Sequence, residues 1–365
     1  MKKKALHIPH ELIIQILLRL PVKSLIRFKC VCKLWLTLIS DPLFANSHFQ
    51  LTATTHSRRI LFTSGPALET PRSIDFEASL NDDSASVSLN LNFLHPQPRF
   101  YLKIKATCRG FIFLHRAFYM YLWNPSTGVH RQIPLSPINS NLEAKYLCYL
   151  YGFGYDPSTD DYLVVIMSYN TTLANVSSHL EFFSLRDNTW KEAEGTHFPY
   201  TNACMDTRIG SLFNGAIHGF AHRRDLSMDV IVAFDLMERK LLEMSLPDDF
   251  HHDPTNFDLW VFKEFLSLWA IWDGTVEIWV MKEYKVCSSW TKTLVLSIDG
   301  ISTKYFFPIC STISGDIIGT DGGTELVKYD DKGQLLEHRS YYNDARGTRV
   351  AMYTESLLSL PGDNE

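Results

Sequence analysis

One phrase of fifteen to twenty residues returns along most of this chain: an aromatic-rich apolar run, a polar turn, and a second run carrying Trp or a basic residue. It reads YLWNPSTGVHRQIPLS at 121–136, EFFSLRDNTWKEAEG at 181–195 and VAFDLMERKLLEMSLP at 232–247. It returns as EIWVMKEYKVCSSWTKTLVL at 277–296 and LVKYDDKGQLLEHRSYY at 326–342. Registered on Trp123, Phe183, Phe234, Trp279 and Tyr329, the copies stand 60, 51, 45 and 50 residues apart. Between them lie CRGFIFLH (108–115), YGFGYDPSTDDYLVVIMS (151–168), GSLFNGAIHGFAH (210–222), LSLWAIWDGTVEIWV (266–280) and GDIIGTDGG (315–323). In each, Gly, Asn or Asp supplies a turn between β-branched and aromatic residues, the pattern of paired strands. Aromatic residues make up 13% of the chain, which suits pleated faces. A period near 50 built from short antiparallel strands predicts a β-propeller, and about 300 residues at that period predict about six blades. Closing the ring removes exposed strand edges. A two-sheet sandwich also holds many short strands, but gives no reason for a repeat of this length. The polar, acidic stretch at 64–90 reads as a long loop.

The first fifty residues have a different texture. In IPHELIIQILLRLPVKSLIRFKCVCKLWLTLISDPLF (8–44), Pro9 stands where a helix would begin. Leu12, Ile13, Ile16, Leu17 and Leu20 then recur at helical spacing. Pro21 stops that helix and opens a second, with Leu25, Phe28 and Cys32 on one stripe. Leu34, Trp35, Leu38 and Ile39 form a third, which Asp41-Pro42 ends. Trp35 is expected in the core of this head. Three short helices cannot bury so much apolar surface among themselves. Either a partner covers part of it, or the head packs on the rest of the chain.

Charge separates the same two regions. Residues 1–50 hold eight basic and two acidic residues, a net of +6, so the remainder carries −11 of the total −5. A basic element on an acidic body suits a docking surface, where charge mainly serves encounter rate and specificity. Nucleic acid is disfavoured, because the cations alternate with an apolar face and the body is acidic. The seven Cys are scattered, without a CxxC pair, and read as reduced, mostly buried thiols of a cytoplasmic or nuclear protein. The longest apolar stretch, 259–272, is broken by Lys263 and Glu264 and is shorter than the ~20 residues a membrane span needs.

A search for chemistry finds little. The sequence holds no G-x-S-x-G elbow, P-loop or HExxH. Asp248-Asp249-Phe250-His251-His252-Asp253 contains metal-ligand types, but between Pro247 and Pro254 it reads as a solvated loop. The glycines of 319–325 read as a hairpin, and Asp160-Asp161 as a turn. No cofactor or metal is expected.

The head resembles an F-box. The matching residues are Pro9, Glu11-Leu12, Ile16-Leu17, Arg19-Leu20-Pro21, Lys23-Ser24-Leu25, Arg27-Phe28, Val31-Cys32-Lys33 and Trp35, with Ile8 for the usual Leu. The body (51–355) resembles the kelch-like F-box-associated domain of plant F-box proteins. Its matching phrases are Trp123–Gly128 (WNPSTG), Tyr151–Pro157 (YGFGYDP), Phe182–Leu185 with Trp190, and Phe213–His218 (FNGAIH). Two departures are Gly219, where a Trp usually follows the His, and Arg109, where Asn usually stands between Cys and Gly. The resemblance implies an α+β multidomain chain: a helical F-box at 1–50 and an all-β kelch-like propeller at 51–360. It implies a non-catalytic substrate-recognition subunit of an SCF (Skp–cullin–F-box) ubiquitin ligase. The head would bind the Skp adaptor, and through it cullin, while the propeller holds an unidentified target. Adaptor contacts are then expected at Ile8, Pro9, Leu12, Ile16, Leu17, Leu20, Pro21, Val22, Leu25, Phe28, Val31 and Trp35, of which Leu12, Ile16, Leu17, Leu20, Pro21, Leu25 and Phe28 are expected to be partly exposed in the free chain. The loops 136–147, 196–208 and 248–258 are the expected target contacts. The alternative is a binding or enzymatic propeller whose helical head is purely structural.

Overall fold

The structure, a computed structural model, describes residues 9–52, 58–63, 71–75, 77–94, 102–116, 118–137, 146–170, 178–193, 199–201, 208–301, 305–322, 325–340 and 349–362. Among them, four helices precede six antiparallel sheets. The helices are α1 (His10–Leu17), α2 (Val22–Phe28), α3 (Lys33–Ser40) and α4 (Pro42–Thr52). The fourth was not expected. Asp41-Pro42 ends α3 but also starts α4: the Asp41 carboxylate accepts from the amides of Leu43 (2.7 Å) and Phe44 (3.2 Å). Cys32 is not on the α2 stripe. It is the exposed residue that opens α3.

Blade two runs Lys103–Cys108, Phe111–Arg116, Tyr119–Trp123, His130–Ile133, and blade three Tyr146–Asp156, Asp161–Asn170, Ser178–Ser184, Thr189–Glu192. Blade four is built on Ala216–Arg223, Met228–Asp235 and Leu241–Ser245, with Tyr200–Thr201 and Ser211–Phe213 both paired to Ala216–Arg223. Blade five runs Phe257–Phe262, Phe265–Trp272, Thr275–Met281, Trp290–Ser297, and blade six Phe307–Ser311, Ile317–Thr320, Glu325–Tyr329, Leu335–Ser340. The five residues that register the repeat all fall on the third strand of blades two to six.

Blade one is assembled from both ends of the body. Its order is Arg349–Thr354, Arg58–Thr63, Arg72–Asp75, Ser86–Ser88, so the last strand of the chain supplies its inner edge. The register runs from Arg58 opposite Thr354 to Thr63 opposite Arg349. Inner strands of neighbouring blades meet all the way round, including blade six with blade one, so the ring is closed. Two of blade one's strands lie in the stretch read as a loop. They are short and polar because they form its outer edge, where little apolar surface is needed. Buried Leu80 anchors the turn between them through its amide, which donates to Glu337 of blade six (2.9 Å).

The core is divided among the blade junctions. Separate buried clusters fill the junctions three–four, four–five, five–six, six–one and one–two. The junction of blades two and three is shared: its cluster also holds Leu17, Leu18, Val22, Leu25, Ile39 and Phe44 of the head, with Leu357, Leu358 and Leu360 from the end of the chain. Gly219, the first of the two departures, leaves room that Leu150 fills; a Cβ there would stand 2.5 Å from the Leu150 methyl.

Candidate adaptor and target interfaces

The head is seated by three devices. The first is the tail after the closing strand, 355–361. Buried Asn124, from the WNPSTG phrase, donates its amide to the carbonyls of Ser356 (3.1 Å) and Leu358 (3.2 Å). Arg131 donates to the carbonyl of Pro361. The tail is thereby pinned to blade two with its leucines turned into the head's core. The phrase read as a turn is therefore a clamp as well.

The second is Arg109. It occupies a two-residue hairpin turn with φ +49, followed by Gly110 at +87. A Cβ on Gly110 would lie 2.2 Å from the Ser356 hydroxyl, so the tail passes hard against this turn. The Arg109 guanidinium donates to Asn46 of α4 (2.6 Å) and to the Tyr162 hydroxyl (3.3 Å). It also lies over the Tyr155 ring at 3.9 Å and the Phe49 ring at 5.1 Å. A residue noticed only as a departure joins head to ring. The third acts inside the head and keeps its helices together as one seated unit: wholly buried His48, whose Nε2 bonds the Leu20 carbonyl at 2.8 Å, ties α4 to the α1–α2 turn. Burial lowers its pKa, which keeps the imidazole neutral.

This seating sorts the expected adaptor residues. Leu12 and Ile16, one turn apart on α1, are each 54% exposed, and Val31 is 59% exposed. Pro9 and Pro21 are exposed; Leu20, Phe28 and Trp35 are half-buried, the last two with ring centroids 5.3 Å apart. Leu17 and Leu25 were expected to be partly exposed and are not; with Val22, also an expected contact, each is at most 1% exposed, inside the core shared with the ring and tail. Ile8 lies outside the described residues. Trp35, expected in the head's core, lies at its edge. Leu34, Leu36 and Leu43 are exposed but were missed as interface candidates. The available signal was the run LWLTLI, which places apolar residues on every side of α3, more than one packed face can take up. Seven of the 22 large apolar side chains exposed among the described residues fall within residues 9–52, a higher density than in the ring.

The opposite end of the ring has another character. Cys108, the last residue of a blade's first strand, leads into the Arg109 turn against the head. First strands therefore run toward the head, and blade-to-blade connections emerge at the far end. All three expected target loops are such connections. Residues 138–145, 194–198 and 202–207 lie outside the described residues. The third loop is described and is not simply solvated. Asp253 accepts from the Thr255 amide (2.9 Å) to cap a short turn, and Phe250 is buried. His252 packs between the rings of Phe250 (4.5 Å) and Trp272 (5.7 Å). Exposed Phe118 and Leu226 sit in turns at the same end, where exposed Trp272 ends a strand.

The groups tested for chemistry serve packing. No three His, Cys, Asp or Glu among the described residues are grouped to hold a metal. A Cβ on Gly319 would strike the Phe306 ring at 2.4 Å, so this glycine allows a close approach of strands. Asp161 accepts from the Ser184 hydroxyl (2.5 Å) and the Arg186 amide (2.9 Å). Buried His218 has Nδ1 at 3.2 Å from the Ser211 carbonyl, so Nδ1–H donates there and Nε2 accepts from the Tyr284 hydroxyl at 2.9 Å. Of the six described cysteines, all free, only Cys108 and Cys310 are buried, fewer than expected. Burial pushes both thiols up, that of Cys108 to about 12, away from thiolate reactivity. No described helix is long and apolar enough to cross a membrane.

Comparison with known proteins agrees with this architecture. The profile of the F-box domain matches residues 5–46, and that of the F-box associated beta propeller domain matches residues 51–329. The second match stops before the strand that closes the ring. The F-box/kelch-repeat protein At3g23880 of Arabidopsis thaliana is 30% identical over 98% of this chain and 96% of its own length. The F-box protein At4g22390 of the same plant is 24% identical over 97% and 91%, and the F-box protein CPR1, also from Arabidopsis thaliana, 27% over 79% and 73%. With four helices on a six-bladed ring and both profiles matched, this chain belongs to the plant-type F-box proteins that carry an F-box-associated β-propeller.

Proposed function

We propose that this chain is the substrate-receptor subunit of a Skp–cullin–F-box ubiquitin ligase. Its head docks on a Skp-type adaptor, and through it on cullin, by a surface that includes Pro9, Leu12, Ile16, Pro21 and Val31. The far end of the ring, including the 248–258 loop, holds a protein target. The observation that carries this reading is the two-sided head: one side is packed into the ring, while the other keeps Leu12 and Ile16 in water. A purely structural head would need no such outer surface. Leu17, Val22 and Leu25 act indirectly in this reading, as the core that holds the docking side chains in place. The chain contributes position to ubiquitin transfer and makes no bonds itself. We assign the assembly to the cytoplasm, the nucleus or both, in keeping with its free thiols.

The test is co-purification of the full chain with a Skp-type adaptor, followed by reconstitution with cullin and an assay for ubiquitin transfer to captured proteins. Leu12→Ser/Ile16→Ser should abolish adaptor binding and transfer together, with target capture retained. Normal adaptor binding by that variant would count against the docking surface.

A further inference from the structure

A cavity of about 270 Å³ lies where the head meets blades one and two. Its apolar walls are Val22 and Ile26 of α2, Leu89 beside blade one, and Pro125 of the WNPSTG turn. At about 30 Å³ per molecule, that volume is roughly nine waters. It suits a ligand of about ten heavy atoms, at the lower end of small-molecule sites.

Its polar groups are unevenly satisfied. Arg59 is held by the wall, donating through Nε to the Ser73 hydroxyl (2.5 Å) and through Nη2 to the carbonyls of Ser73 (2.9 Å) and Ala85 (3.1 Å). The Glu355 carboxylate has no hydrogen bond among the described residues. The nearest guanidinium nitrogen, Arg59 Nε, stands 4.0 Å away. Burial raises its pKa, against the pull of Arg59, which favours the neutral acid. Lys23 and Arg27 of α2 line the cavity from exposed positions; their side chains make no hydrogen bond or close ion pair among the described residues, and the Lys23 charge acts on Glu355. Three cations, Lys23, Arg27 and Arg59, line the cavity with one carboxyl, Glu355; Arg59 also stands 4.0 Å from Asp75. The cavity is an apolar-walled site in which basic side chains outnumber the carboxyl, with the Lys23 and Arg27 side chains exposed at its rim.

We infer that this cavity binds a small amphipathic organic acid, its carboxylate paired with Lys23 and Arg27 and its apolar body lying between α2 and the blade-one wall. Glu355, also in the lining, is placed to meet a second polar group on the ligand, whereas the Tyr353 hydroxyl is already bonded to the Ser73 hydroxyl at 2.7 Å. The walls come from the head and the ring together, so an occupant stiffens the joint between them. This inference does not depend on adaptor binding.

The test uses the full chain and defined probes. Octanoate and 3-phenylpropionate are titrated by calorimetry and thermal melting, against 1-octanol, 3-phenylpropanol and inorganic phosphate. Both acids should bind saturably at one site and raise the melting temperature. The matched alcohols should bind at least about tenfold more weakly, for want of the charge-assisted bonds. Phosphate, lacking an apolar body, should not compete. Lys23→Ala/Arg27→Ala alters only exposed side chains and should weaken the acids by about tenfold or more without changing the alcohols. Val87→Trp should fill the cavity from the blade-one wall and abolish binding, whereas Lys240→Ala in blade four should have no effect. Hydrogen exchange should slow in α2 and at 355–358 when octanoate is bound. No acid binding, equal binding of acid and alcohol, competition by phosphate, or acid affinity unchanged in the double variant would each overturn the inference.

Discussion

The ring and the head solve the same problem in opposite ways. Each blade junction of the ring fills its own cluster with side chains from two neighbouring sheets, and closure leaves no junction open. The head has no private core. Its buried leucines share one cluster with blades two and three and with a tail that arrives after every blade has been laid down. A small helical element of about 44 described residues cannot bury enough surface alone. Borrowing a core leaves its other side free to stay apolar and exposed. Buried core and exposed apolar surface are therefore carried by the same helices.

That contrast breaks most visibly at the C-terminus. Removing residues from Arg349 onward deletes the inner strand of blade one and the head's seat together. Gel filtration and circular dichroism should show aggregation and no folded monomer. A truncation after Thr354 keeps the ring closed, and should give a cooperative β-melt with a head that limited proteolysis removes. A stable monomer lacking Arg349–Thr354 would mean the ring does not need that closure.

Single leucines sharpen the same contrast. Leu25→Ala opens a cavity in the shared core and should cost about 3 kcal/mol in denaturant unfolding. Leu34→Ala, on the exposed side, should stay within about 0.5 kcal/mol. Equal costs would mean that the two sides are not distinct.

Acid should loosen the ring through His218. Burial holds its pKa down to about 4, against an ordinary 6.5. The unfolded imidazole takes up its proton as pH falls through 6.5, whereas the folded one does so only near 4. The stability is complete above about 6.5 and is lost progressively below it, by up to about 3 kcal/mol near pH 4. His218→Gln should flatten that part of the stability–pH curve; an unchanged slope would remove His218 as the cause. The smallest effect belongs to the joint. Arg109→Asn keeps the positive-φ turn, which Asn tolerates, but loses the contacts to Asn46 and Phe49. It should cost about 1–2 kcal/mol, with faster exchange of α4 amides and an unchanged ring.

The ring was legible because its signal is repeated: five copies of one phrase mark the third strands of blades two to six, and the period set against the length of the body gives about six blades. Blade one was not, because its strands lie at both ends of the body and its outer pair is short and polar. The helices of the head were legible from their prolines, except α4, whose Asp-Pro start served equally as a stop. Which side of α1 is buried was not legible. Ile16 and Leu17 lie on the same apolar stripe, and a core shared with blades two and three and the tail, all distant in sequence, takes in Leu17 and leaves Ile16 out. Arg109 could be seen as unusual, but its partner Asn46 is distant in sequence, and nothing local announces the bond.

The account rests on the outer side of the head being a docking surface that folding does not need. The direct measurement is the affinity of the full chain for a Skp-type adaptor, for the native sequence and for Leu12→Ser/Ile16→Ser, each with its melting temperature. The account predicts a loss of at least about thirtyfold, or ~2 kcal/mol, with melting unchanged. Unaltered affinity, or a loss that merely tracks unfolding of the head, would contradict it.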